Sequence, residues 1–230
     1  MKKSVSILCL ANSDKNEGRC IAGLRLDTGG WLRPVSSERG GALVEDHYIT
    51  RSGQTPGLLD SVHIGLKRQY PKYNQPENWV VSLDKWKLVS TELDRRQLLV
   101  LNTALQHEGP VIFDTRRSIP KYILREEPIP NSLTVLRPRK PTFHIKESDG
   151  NRRPYADFSF DGHDYSLPIT DPKWREIVKS VDVTSLPSAD IVEDSKEILF
   201  TISLGEAYNG RCYKLIAAIF TVDSDNLLEI

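Results

Sequence analysis

"GRCIAGLRLDTGGWLRPVS" (residues 18–36) is the stretch whose reading decides the fold. From Arg19 to Leu26 the residues alternate, with Cys20, Ala22, Leu24 and Leu26 on one side and Arg19 and Arg25 on the other. A period of two is the mark of a β-strand with one buried face. Thr28-Gly29-Gly30 supplies residues that tolerate a tight reversal, and "WLRPVS" resumes the extended pattern. Strand, glycine turn and strand read as a hairpin or meander. The Gly-Arg-Cys step recurs at residues 210–212 in "NGRCYKLIAAIF" (209–220), again entering a run of β-forming residues. In both copies glycine ends a polar turn, arginine starts the strand on its solvent face, and cysteine is the first small inward residue.

Outward from this hairpin, the chain reads as short strands punctuated by turns. Further strands are expected over residues 5–10, 60–66, 79–83, 133–136, 155–160, 164–167, 198–203 and 212–222. Fourteen prolines and fourteen glycines fit many corners rather than long helices. Two helices stand out. Residues 90–110 offer Thr91 and Asp94 as a capping box, Leu98, Leu101 and Leu105 as an apolar stripe, and Gly109-Pro110 as a stop. Residues 170–181 offer Asp171 as cap, Pro172 at the first helical position, and Trp174, Ile177, Val178 and Val181 facing inward. Strand-rich sequence on both sides of the first helix predicts two small β-domains, residues 1–108 ending in the helix and residues 109–230. Leu-Arg-Pro also occurs twice, at 32–34 and 136–138, but out of register with the Gly-Arg-Cys steps. The echoes therefore fit chance, or two termini that pair in one sheet.

The chain carries 31 basic and 31 acidic residues in 230, so no global field gathers polyanions. The charge is segregated, however. Residues 116–153 hold ten Lys/Arg against four acids, and residues 182–230 hold nine acids against three bases. Three cysteines without a CxxC pair argue against a disulfide framework and against a zinc knuckle. The opening "MKKSVSILCLANSDKNEG" reads as a strand rather than a signal peptide, and the apolar run 215–220 is too short to span a bilayer. A soluble, cytoplasmic protein is expected.

Four stretches, "CLANSDKNEGRCIAG" (9–23), "GWLRPVS" (30–36), "YSLPITDPKW" (165–174) and "SLGEAYNGRCYKLIAAIF" (203–220), resemble the dual OB-containing domain family of bacteria. The resemblance implies a mainly β protein of two OB-like β-barrels packed together with a connecting helix. It also implies a nucleic-acid role, association with bacterial defence loci, and an effector protein acting beside this one. It assigns nothing to residues 41–78.

The residues themselves suggest where nucleic acid would bind. Asn12, Lys15 and Arg19 border a glycine-containing loop able to offer cations and backbone N–H groups to a phosphate, although a surface turn has the same composition. Trp31 and Arg33 share one side of a strand, the pairing that a stacking platform needs. The alternative is a ring plugging a barrel end and an arginine paired with a carboxylate. "LKRQYPKYNQPENW" (66–79) interleaves Lys67, Arg68 and Lys72 with Tyr70, Tyr73 and Trp79, which suits rings on bases and cations on phosphates. Arg137, Arg139 and Lys140 would extend the same groove. Lys214 falls on an inward position of its strand, so it points either to a buried pair or to a ligand. The chain has no P-loop, GxSxG, GxGxxG or HExxH pattern, and it reads as a binding module needing no cofactor rather than as an enzyme. Two rivals stay open. One is a protein-interaction module. The other is a metal-dependent hydrolase using Asp161, His163 and Asp164, or Asp182, Asp194 and Lys196.

Overall fold

The computed structural model describes residues 3–15, 18–148, 150–180, 185–186 and 196–227. Its Cα positions divide into two compact units, Met1–Ala104 and Leu105–Ile230.

The first unit contains β1 (Lys3–Lys15), β2 (Gly18–Arg25), β3 (Trp31–Val35), the short helix α1 (Glu45–Tyr48), β4 (Ser61–Gln69), β5 (Asn78–Val81), β6 (Lys87–Ser90) and α2 (Arg95–Ala104). Residues 18–36 do form strand, turn and strand, with Gly23 opposite Leu32 and Leu24 opposite Trp31. Pairing runs β1-β2-β3-β5-β4, and β4 also pairs with β1, so five strands close on themselves while β6 extends β4. β3 and β5 run parallel and the other pairs are antiparallel. This circuit is the five-stranded barrel of an OB-fold.

Closing so few strands requires sharp coiling. β1 supplies it at a bulge between Cys9 and Ala11, beside the position where Gly23 faces Cys9. A Cβ on Gly23 would stand 2.1 Å from the Leu8 carbonyl oxygen. Gly23→Ala is therefore expected to force the two backbones apart and to cost about 1–3 kcal/mol, the range for overpacking. A urea unfolding midpoint equal to wild type would contradict this. Val5, Ile7, Cys9, Ile21, Leu32, Val62, Ile64, Leu66 and Trp86 fill the barrel, and burial pushes the Cys9 thiol pKa up to about 12. The helix read from residues 90–110 is shorter than expected. Its capping box is Asp94 with Gln97, the Gln97 N–H donating to Asp94 Oδ1 at 2.9 Å, while Leu105 has already entered the next strand.

The second unit contains β7 (Leu105–Gln106), β8 (Ser118–Pro120), α3 (Lys121–Glu126), β9 (Leu133–Leu136), β10 (Arg139–Ser148), β11 (Asn151–Phe160), β12 (His163–Pro168), α4 (Pro172–Ser180), β13 (Ser185–Leu186), β14 (Lys196–Tyr208) and β15 (Arg211–Asp223). Two sheets form, β12-β11-β10-β13 and β7-β9-β14-β15-β8. A parallel bridge, Ile169 to Ile216, joins them. The path β10-β11-β12-β15-β14 thus repeats the OB order, with α4 between the third and fourth strands. β14 and β10 do not pair directly; β9 pairs with β14 and β13 with β10. Asp171 caps α4 as expected, accepting from the Lys173 N–H at 2.9 Å. Trp174 stacks on Phe143 at 4.5 Å. Val181 lies outside the described residues.

The two Gly-Arg-Cys strands lie in different sheets, so the two terminal strands are not partners. In the second copy Asn209 and Gly210 have φ of 48° and 76°, the positive pair that a two-residue β14–β15 hairpin turn demands. Residues 139–148, outside the expected strands, form the long strand β10, with Phe143 and Ile145 buried on one face.

Candidate nucleic-acid interface

The end of β4 and the loop joining it to β5 bring Arg68 and Lys72 to the ring of Tyr70, with Lys67 next to Arg68 along the strand. β4 bulges between Leu66 and Arg68, as Leu66 faces Val81 and Arg68 faces Val80. That extra residue breaks the in-out alternation, so Lys67 and Arg68 are both exposed. Tyr70 follows, 40% exposed, with the Arg68 guanidinium 4.9 Å and the Lys72 ammonium 5.9 Å from its ring centroid. Such cation–π contacts hold the ring on the surface rather than letting it sink into the core. Lys3, paired with Leu66 across β1–β4, adds a fourth cation, its ammonium 5.5 Å from the Trp79 ring centroid. Among the described residues Lys3, Lys67 and Arg68 make no ion pair with a carboxylate.

Beneath this surface the loop is anchored by a buried charge pair. Arg33 is 2% exposed. Its Nε donates to Glu77 Oε1 at 3.0 Å and its Nη1 to Cys20 Sγ at 3.0 Å. The Arg33 N–H also donates to the Glu77 carbonyl at 3.0 Å. Burial alone would lower the guanidinium pKa, but Cys20 and Glu77 hold it above its ordinary value. Arg33 is thus a positioning residue for the loop, and it offers nothing to a base.

The other expected site residues are distributed as follows. Trp31 is half-buried. Trp79 packs partly against the barrel core, which leaves it poorly placed for stacking. Tyr73 is half-buried. Asn12 Nδ2 donates to the Pro56 carbonyl at 2.8 Å, a structural tie. Arg19 pairs with Asp14 at 3.0 Å, Lys15 is half-buried, and residue 16 lies outside the described residues. Arg137, Arg139 and Lys140 are exposed but belong to the second unit, where Arg137 stands 3.7 Å from Glu197.

Lys214 is fully buried and takes the pair option rather than the ligand option. Its ammonium donates to the Asp114 carbonyl and to Asp114 Oδ1, the latter at 3.1 Å. Burial lowers its pKa in spite of Asp114, and the nearby Arg116 adds to the lowering. Between that lowered value and its ordinary value near 10.5, the unfolded chain binds more protons than the folded one, so folding stability rises with pH. Wild type is expected to gain stability relative to Lys214→Met as pH climbs toward 10.5. Parallel urea midpoints at several pH values check this.

Among the described residues no three His, Cys, Asp or Glu side chains are grouped as metal ligands. Asp161 accepts from the Gly109 N–H at 2.7 Å and Asp164 from Ser159 Oγ at 2.6 Å, turn-fixing roles for both. Asp182 and Asp194 lie outside the described residues. No helix among the described residues is long and apolar enough to cross a membrane.

A family model described as "Dual OB-containing domain" matches residues 5–219. No curated protein matches the chain. Among solved structures, a murine DNA-binding protein bound to double-stranded DNA aligns at 6% identity and a TM-score of 0.30, covering 96% of this chain and 100% of that one. The tetrameric p202 HIN2 aligns at 10% identity and a TM-score of 0.28, covering 96% and 93%. At that level of superposition neither likeness carries a functional argument.

Proposed function

Since the chain belongs to the dual OB-containing domain family, we propose that its first barrel binds single-stranded nucleic acid with low sequence specificity, in the cytoplasm and beside a separate effector. One observation carries this reading: Arg68 and Lys72 flank the exposed Tyr70 ring where β4 passes into the β4–β5 loop, with Lys67 exposed beside Arg68 and Lys3 against Trp79. In OB-folds that loop, with the β1–β2 loop and the face of the second and third strands, is where oligonucleotides lie. Cations meet phosphates and a ring stacks on any base, so affinity without sequence discrimination follows. For a base to stack on Tyr70, Arg68 or Lys72 swings off the ring toward a phosphate, a small rearrangement of exposed side chains. Defence association and an effector partner rest on the bacterial family that the sequence resembles.

Fluorescence-anisotropy titrations with labelled single-stranded DNA, single-stranded RNA and duplexes, at low and moderate salt, test the reading. Micromolar binding of a single strand that weakens steeply with salt supports it. Absence of binding to every probe at low salt overturns it.

A further inference from the structure

Strand alternation on the β10–β12 sheet places Phe143, Ile145, Ala156, Phe158, Tyr165 and Leu167 on the inner face, where all are buried. Tyr155 belongs to the opposite face by the same alternation, yet it is only 7% exposed. What covers it is polar. The Arg117 guanidinium lies 5.5 Å from its ring centroid and donates to its hydroxyl at 2.9 Å. The Lys146 ammonium lies 4.2 Å from the centroid, and the His144 ring stacks at 5.8 Å. Two exposed cations are thereby brought to one aromatic ring. Among the described residues neither forms an ion pair with a carboxylate.

A cavity of about 240 Å³ opens beside them, lined by Thr115, Arg117, Lys146, Asp164, Ser166 and neighbouring residues. Lys146 Nζ donates to Ser166 Oγ at 3.0 Å, which aims the ammonium at this space. Arg117 is fixed through its backbone, whose carbonyl accepts from the Lys214 N–H at 2.9 Å. Asp114, three residues earlier, is held by the buried Lys214 ammonium. The costly buried pair thus pins the segment that presents Thr115 and Arg117.

The geometry points to a site for a terminal phosphate monoester carried on a sugar. Two cations match a dianionic monoester better than the single charge of an internal phosphodiester, and the Thr115 and Ser166 hydroxyls supply neutral donors. Asp164 would repel a bare anion. Its Oδ1 accepts from Ser159, and as part of the cavity lining the carboxylate supplies an acceptor for a sugar hydroxyl beside the phosphate. The volume is below that of pockets taking whole drug-sized ligands, which suits a phosphosugar end rather than a running strand. The site lies wholly in the second unit, so it stands or falls independently of strand binding by the first.

Calorimetric or NMR titration of the full chain with ribose 5-phosphate, ribose and inorganic phosphate tests it. Ribose 5-phosphate is expected to bind, ribose not to, and inorganic phosphate to bind more weakly. R117Q and K146Q change exposed side chains, and each is expected to weaken ribose 5-phosphate by at least about tenfold, the worth of one charge-assisted hydrogen bond. D164N is expected to weaken ribose 5-phosphate while sparing or improving inorganic phosphate. An oligonucleotide with a 5′-phosphate, compared with its 5′-hydroxyl counterpart, then identifies the source. An advantage lost in R117Q assigns the site to a strand end, and equal binding assigns it to a free sugar phosphate or nucleotide. Failure of ribose 5-phosphate to bind wild type at millimolar concentration, or binding equal to that of ribose, overturns the site even if the first unit binds strands.

Discussion

Arg33→Ala is expected to destabilise the first unit by about 3–5 kcal/mol, the loss typical when one member of a buried ion pair is removed. Glu77, itself buried, would lose the Arg33 guanidinium as a counter-charge, and the β4–β5 loop would lose its tie to β3. Arg33→Lys is expected to rescue little. A single ammonium on a flexible stem cannot reproduce the planar fork that reaches Glu77 through Nε and Cys20 through Nη1. Arg33→Met combined with Glu77→Leu should recover much of the loss by removing both charges together. Trp31, Trp79 and Trp86 stand in the first unit and only Trp174 in the second, so tryptophan fluorescence in urea reports mainly the affected unit. A midpoint for Arg33→Ala within error of wild type would show that the pair carries no weight.

The second large effect is on salt dependence. Replacing Lys67, Arg68 and Lys72 together by glutamine removes three cations from the proposed strand path. For single strands each phosphate contact contributes about 0.7 to the slope of log affinity against log salt, so the slope should flatten by about 2. Between 50 and 200 mM salt that corresponds to a decline about twentyfold smaller than for wild type. The side chains are exposed or half-exposed, so the fold should hold, and an unchanged urea midpoint is the control. A parallel loss of affinity at all salt concentrations, with no change of slope, would mean that the three cations meet no phosphate. Tyr70→Ala separates the remaining contribution, since it should reduce affinity while leaving the slope alone.

Much of the architecture was legible along the chain because strand alternation and caps are local signals. The hairpin at residues 18–36 and the helix after Asp171-Pro172 form as expected. The face of β2 that joins the barrel core, however, carries Ile21 and Gly23, opposite in phase to the expected Cys20, Ala22 and Leu24, because β2 is buried on both sides and its alternation carries no phase. β10 lies outside the strands expected from the sequence although "TFHIK" alternates cleanly, because Pro138, Pro141 and the dense charge around it obscure the pattern. The candidate interface was legible in its cations but not in its rings. Of Trp31, Tyr70, Tyr73 and Trp79, only Tyr70 stands open. No spacing rule tells an aromatic that flanks a barrel end from one that faces solvent. Lys3 escaped notice because its position beside Leu66 depends on a pairing of strands some sixty residues apart, a separation that no local pattern reports.

By itself, the amino-acid order determined the β-rich character, the family, the hairpin at residues 18–36 and the cation-rich run at 66–79. These depend on side chains meeting neighbours two to four residues away. Only the tertiary structure decided that Arg33 and Lys214 are buried, each against a carboxylate distant in sequence, and that Arg117 and Lys146 converge on Tyr155. A charged side chain is driven inward only when a partner from another strand compensates its lost hydration, and strand closure, not sequence proximity, delivers that partner.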